Sequence, residues 1–95
     1  MIAALRGLFV QWDADSATLW LDVSGVTYEL IIPLFAGDWI TQHEVGSEMS
    51  LFTYYHVSDR NPRPVIIGFP HLAEREFFRK FIDVPDVGPT RAVRA

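Results

Sequence analysis

The sequence predicts a mainly β fold, a five-stranded barrel laid out as an OB-fold, followed by the start of a helical hairpin. Three observations predict it. Short segments of alternating or wholly apolar residues recur through the first 69 positions, at the period of half-buried strands. A non-strand cover stands between the third and fourth of them. After Phe69 the pattern changes to that of an amphipathic helix running into Val87-Gly88-Pro89. Five strands on so short a stretch leave exposed edges unless the sheet curls closed.

The first strand is read over residues 2–12, with Gly7 inside it; a glycine there marks a bulge or a sharp coil. Asp13-Ala14-Asp15-Ser16 is a turn. Residues 17–23 place Ala17, Leu19, Leu21 and Val23 on one face and Thr18, Trp20 and Asp22 on the other. Ser24-Gly25 is a two-residue hairpin connection. Residues 26–32 alternate again, with Val26, Tyr28, Leu30 and Ile32 together. Pro33 ends that strand. Residues 34–43 form a short helix or irregular cover whose apolar side is Leu34, Phe35, Trp39 and Ile40. The fourth strand is 48–56. A polar, proline-containing loop, 58–64, precedes a short fifth strand, 65–69. A helix follows over 71–83, with Leu72, Phe77, Phe78, Phe81 and Ile82 buried and Arg75, Arg79 and Lys80 facing water.

A chain of 95 residues fits one compact domain and little more. At 49% hydrophobic and 21% charged residues, it falls with folded domains rather than disordered chains. Without cysteine it has no disulfide or thiolate chemistry, which is compatible with the cytoplasm. No apolar run has membrane-spanning length, and the start shows no signal-peptide pattern. The net charge of −4 argues against a generic polyanion binder. Yet Arg75, Arg79, Lys80, Arg91 and Arg94 gather at the C-terminal end, so a polyanion is expected to meet that end first.

The turn Asp86-Val87-Gly88-Pro89-Thr90 joins two predicted helices. Backbone N–H groups at a helix start suit a phosphate, although an ordinary helix–helix turn has the same composition. Trp12, Trp20, Trp39, Tyr54 and Tyr55 have the chemistry to stack bases, but barrel core and subunit contact are the favoured reading. Trp20, opposite Leu19 and Leu21, marks a protein interface if exposed. His43, His56 and His71 are too scattered for a metal site, and Asp13 with Asp15 is a plain turn. No phosphate-binding loop with lysine and no nucleophile–base pattern is present. No catalytic residue, metal or cofactor is expected.

Ordered motifs resemble one family throughout the chain. Met1-Ile2 with Leu5-Arg6-Gly7 is similar to the opening of RuvA, the bacterial Holliday-junction-binding family. Val23-Ser24-Gly25-Val26-Thr27-Tyr28-Glu29-Leu30 is similar to its hairpin. Leu51-Phe52-Thr53 and Ile67-Gly68-Phe69 resemble its Phe-Thr-His and Tyr-Gly-Phe. Glu74-Arg75-Glu76-Phe77-Phe78 resembles its Glu-Arg-x-Leu-Phe helix, and Val87-Gly88-Pro89 its Gly-Val-Gly-Pro-Lys turn.

The resemblance implies an OB-fold domain over 1–69 and, over 70–95, the start of a helix-hairpin-helix domain, so that this is a fragment or a naturally short homologue. It implies phosphate contacts at Val87, Gly88, Thr90 and Arg91. Asp86 and Thr90 replace the family's glycine and lysine, which weakens the turn as an anion site; Arg91 and Arg94 are the cations at hand to compensate. It implies an acidic pin in the loop between strands four and five, for which Asp59 is the candidate. It further implies a non-catalytic cytoplasmic subunit, a homotetramer on four-way junction DNA. A RuvB-like ATPase motor would engage it through a domain this sequence lacks. The residues alone leave a second reading open: an OB-fold protein–protein assembly module with little DNA affinity of its own.

Overall fold

The computed structural model describes residues 1–57 and 63–82. Its strands are β1 (Ala4–Asp13), β2 (Thr18–Val23), β3 (Val26–Ile31), β4 (Glu48–His56) and β5 (Val65–Phe69). A 3-10 turn (Leu34–Ala36) and a short helix α1 (Gly37–Thr41) separate β3 from β4, and helix α2 (Leu72–Phe81) follows β5. The strands close in the order β1-β2-β3-β5-β4. All pairings are antiparallel except β3 with β5, which meet in parallel at Ile31 and Ile67. This is the expected five-stranded OB-type barrel.

β1 closes the barrel by serving two neighbours. Its first half pairs with β4 and its second half with β2, both ladders reaching Leu8. Gly7 stands at the changeover, where the backbone of β2 approaches so closely that a Cβ would meet the Asp22 carbonyl oxygen at 2.2 Å. The glycine therefore marks the coil, while the bulge lies further on: the β1–β2 register slips between Phe9 and Gln11. The slip puts both Phe9 and Trp12 on the core side.

Ser24 and Gly25 both have positive φ, 52° and 92°. That backbone matches the right-handed twist of the flanking strands in a two-residue hairpin. The Asp22 carboxylate accepts the Gly25 N–H at 2.8 Å.

The alternating faces assemble as read. Phe9, Leu19, Leu21, Leu30, Ile32, Met49 and Leu51 form the main core, which Ala36 and Ile40 cap at one end. Leu34 and Phe35, predicted to share that cover, are instead exposed. A three-residue 3-10 turn eclipses positions i and i+3, so Pro33 and Ala36 point inward together. A smaller cluster of Ile67, Phe69 and Phe78 holds α2 against β4 and β5.

Candidate nucleic-acid interface

The five residues that sequence reasoning proposes for DNA contact, Asp59, Val87, Gly88, Thr90 and Arg91, lie outside the described residues. The structure describes the elements next to them in the chain. β4 ends at His56, shortly before Asp59, and α2 ends at Phe81, shortly before the hairpin turn.

Helix α2 starts where the Glu74 carboxylate accepts the His71 N–H at 2.9 Å, half of a capping box. Arg79 and Lys80 in its last turn complement the helix dipole. Only a narrow stripe meets the barrel. Phe78 is 5% exposed and packs edge-on against Tyr54 and tilted against Phe69, with ring centroids 5.4 and 5.2 Å away. Phe77, predicted to be buried, is 70% exposed and stacks on Phe81; Leu72 is also exposed. Helical spacing puts Phe77 and Phe81 on one adjoining face, where Phe81, unlike Phe77, is half-buried and also packs against the Phe69–Phe78 cluster. With Pro33, Phe35 and Phe69 they line an apolar cleft of about 560 Å³.

Arg75 was expected in water, yet its side chain is only 13% exposed. It shares the barrel-facing stripe with Phe78, three positions on. One guanidinium nitrogen, Nη1, donates to the Ala3 carbonyl at 3.0 Å. Nη2 and Nε both donate to Glu76 Oε1, at 2.8 and 3.2 Å. These hydrogen bonds hold the Glu76 carboxyl below its ordinary range, with the charges of Arg75, Arg79 and Lys80 acting in the same direction. The Ala3 carbonyl also accepts the Thr53 N–H at 2.9 Å, and the Thr53 hydroxyl donates to the Ile2 carbonyl at 2.6 Å. Residues 2 and 3 are thus held between β4 and α2. Sequence reasoning missed this junction; Glu74-Arg75 entered that reasoning only as part of a motif match to the family helix.

Beyond Arg75 the same edge of α2 is polar. Arg79 and Lys80 are exposed and, with Met1, Tyr54 and Glu76, line a depression of about 400 Å³. Arg79 Nη1 lies 3.6 Å from Glu76 Oε1, so one carboxylate already stands among these cations.

The aromatics divide. Trp12 and Trp39 pack on the main core and Tyr54 on the smaller one. Trp20, 39% exposed, lies on the outer surface and donates Nε1–H to Glu29 Oε1 at 3.3 Å. A carboxylate at that position disfavours phosphate beside the indole. His43 donates Nδ1–H to the Trp39 carbonyl at 2.8 Å, and His56 stacks on Tyr54. Among the described residues, no three His, Cys, Asp or Glu side chains cluster as metal ligands would.

The model of the family described as RuvA N terminal domain matches residues 1–63. The chain belongs to the RuvA N-terminal domain family. Similar relatives include proteins named Holliday junction branch migration complex subunit RuvA. That of Desulfatibacillum aliphaticivorans is 44% identical over 71 residues, 75% of this chain and 34% of the relative. That of Desulforapulum autotrophicum is 38% identical over 96 residues, 100% of this chain and 44% of the relative. That of Histophilus somni is 37% identical over 93 residues, 98% of this chain and 43% of the relative. The chain therefore spans less than half the length of these relatives. The RuvA N-terminal domain match ends before β5, whereas the similarity to the relatives from Desulforapulum autotrophicum and Histophilus somni covers nearly all of the chain. Among the described residues, no helix is long and apolar enough to cross a membrane.

Proposed function

We propose that this chain is the barrel part of a subunit that binds Holliday junctions during branch migration in recombination and repair. Its membership of the RuvA N-terminal domain family carries the reading, together with the printed names of its relatives. The barrel is a scaffold and performs no catalysis. It occupies residues 1–69, and residues 70–95 begin a helix-hairpin-helix domain. Backbone N–H groups at Val87, Gly88 and Thr90, with Arg91, contact phosphate. Asp59 acts as a pin whose negative charge repels the DNA backbone where strands part. Phosphates carry no base identity, so recognition is of junction shape. The working assembly is a cytoplasmic homotetramer that leaves ATP hydrolysis to a RuvB-like motor. The cationic edge of α2 supports this reading, because it extends the basic character of the C-terminal end onto the described surface.

The test is a gel-shift titration of the 95-residue chain at low salt, with a four-way junction competing against duplex of the same sequence. The junction is expected to bind in preference, and its affinity to fall as salt rises. Arg91→Ala should reduce the salt slope by about 1. Equal affinity for duplex and junction, or no binding at low salt, refutes the reading.

A further inference from the structure

We infer that Arg75 is a positioning residue, which sets the direction in which α2 leaves the barrel. Phe78, seated between Tyr54 and Phe69, anchors the helix, and the half-buried Phe81 and Ile82 pack against the same cluster at its end. These contacts all lie from Phe78 onward, so they fix the C-terminal half of the helix and leave its first half held only by the chain from β5. Arg75 supplies the second point. It stands three residues earlier, about 4.5 Å along the axis, and bonds to the Ala3 carbonyl. Glu76 holds the other side of the guanidinium. The planar fork is thereby fixed in orientation, which a lysine ammonium cannot reproduce.

The acceptor is equally well fixed. Ala3 is tied to Thr53 in β4 by the same carbonyl that takes Arg75, and its neighbour Ile2 accepts the Thr53 hydroxyl. Strand β4 is the element that leads toward Asp59, and α2 is the element that leads toward Gly88. Arg75 therefore sets the geometry between the strand before the proposed pin and the helix before the proposed phosphate turn. Its effect on DNA rests on the junction reading above; its effect on the direction of α2 does not.

The chain has no cysteine, so spin labels can be placed singly. Gln11→Cys on β1 and Lys80→Cys on α2, both exposed, report the barrel-to-helix distance by pulsed electron resonance. A narrow distribution is expected with Arg75, a broad one in Arg75→Ala, and an intermediate one in Arg75→Lys, which keeps one donor but loses the fork. Circular dichroism verifies that the barrel stays folded; should Arg75→Ala not fold, Glu76→Ala, which removes the acceptor on the other side of the fork, is measured in the same way. An unchanged distribution overturns the inference, whatever the DNA results.

Junction preference is then measured on the unlabelled variants. Arg75→Ala should lose about tenfold of the preference for junction over duplex, the scale of one charge-assisted hydrogen bond, and Arg75→Lys should recover part of it. A broadened distribution with full preference retained refutes the positioning role in DNA binding. A broadened distribution in a chain whose native form never preferred junctions leaves the geometric inference standing and removes the functional reading.

Discussion

Gly7 faces the carbonyl oxygen of Asp22 at a separation that admits no Cβ: an added methyl carbon would stand 2.2 Å from that oxygen and 2.8 Å from its carbon. Both are backbone atoms within a ladder, so neither can turn aside as a flexible side chain would. Gly7→Ala must therefore push β1 off β2 where the barrel closes. The expected cost is about 3 kcal/mol, seen as a melting temperature lower by roughly 15 °C. A change of only a degree or two would show that the strands do not approach as described.

Thr53 is fully buried, and its hydroxyl bonds to the Ile2 carbonyl. Thr53→Val keeps the shape and removes the donor, leaving that carbonyl unpaired. The denaturation midpoint should reflect a loss of about 1 kcal/mol, while Thr53→Ser, which keeps the hydroxyl, should lose less of this bond. Equal stability of native and valine forms would show that the bond contributes nothing.

Phe78→Ala removes the ring that seats α2 between Tyr54 and Phe69. A loss of about 3 kcal/mol is expected for the packing of the helix. Hydrogen exchange should show α2 amides losing protection while the amides of β1 to β3 keep theirs, because the main core contains no residue of α2. Loss of protection throughout the barrel would mean that helix and barrel unfold as one unit.

Glu76 has its carboxyl lowered by Arg75, chiefly through their hydrogen bond. The sign follows from linkage: a depressed carboxyl stabilises the fold at pH above the ordinary glutamate range. That contribution fades as pH falls through this range to the lowered folded value. Because the Glu76 side chain is 45% exposed, the effect is small and is best read locally. Carbon-detected titration should place the Glu76 midpoint below the ordinary glutamate range in the native chain and shift it upward in Arg75→Ala. A midpoint unmoved by that substitution would show that Arg75 is not the cause.

Sequence alone determined most of the barrel. The alternation of Leu19 and Leu21 against Trp20, and of Leu30 and Ile32 against Glu29, specified which face of each strand is buried, because side chains alternate along a strand whatever its partner. Ser24-Gly25 specified a hairpin, because its backbone angles favour few other residues. The ordered motifs, from Met1-Ile2 to Val87-Gly88-Pro89, also carry the family likeness in the sequence itself.

The tertiary structure decided what depends on partners remote in the chain. The bulge between Phe9 and Gln11 exists because β1 must face two different neighbours, and no local pattern records that. Helical periodicity placed Arg75 in water and Phe77 in the core, since it grades faces by polarity alone. The barrel presents a carbonyl at Ala3, 72 positions earlier in the chain, and the long Arg75 side chain satisfies it while its stem lies along the barrel. An apolar face turns inward only where a surface is there to receive it: β4 and β5 receive Phe78, while Phe77 is left exposed.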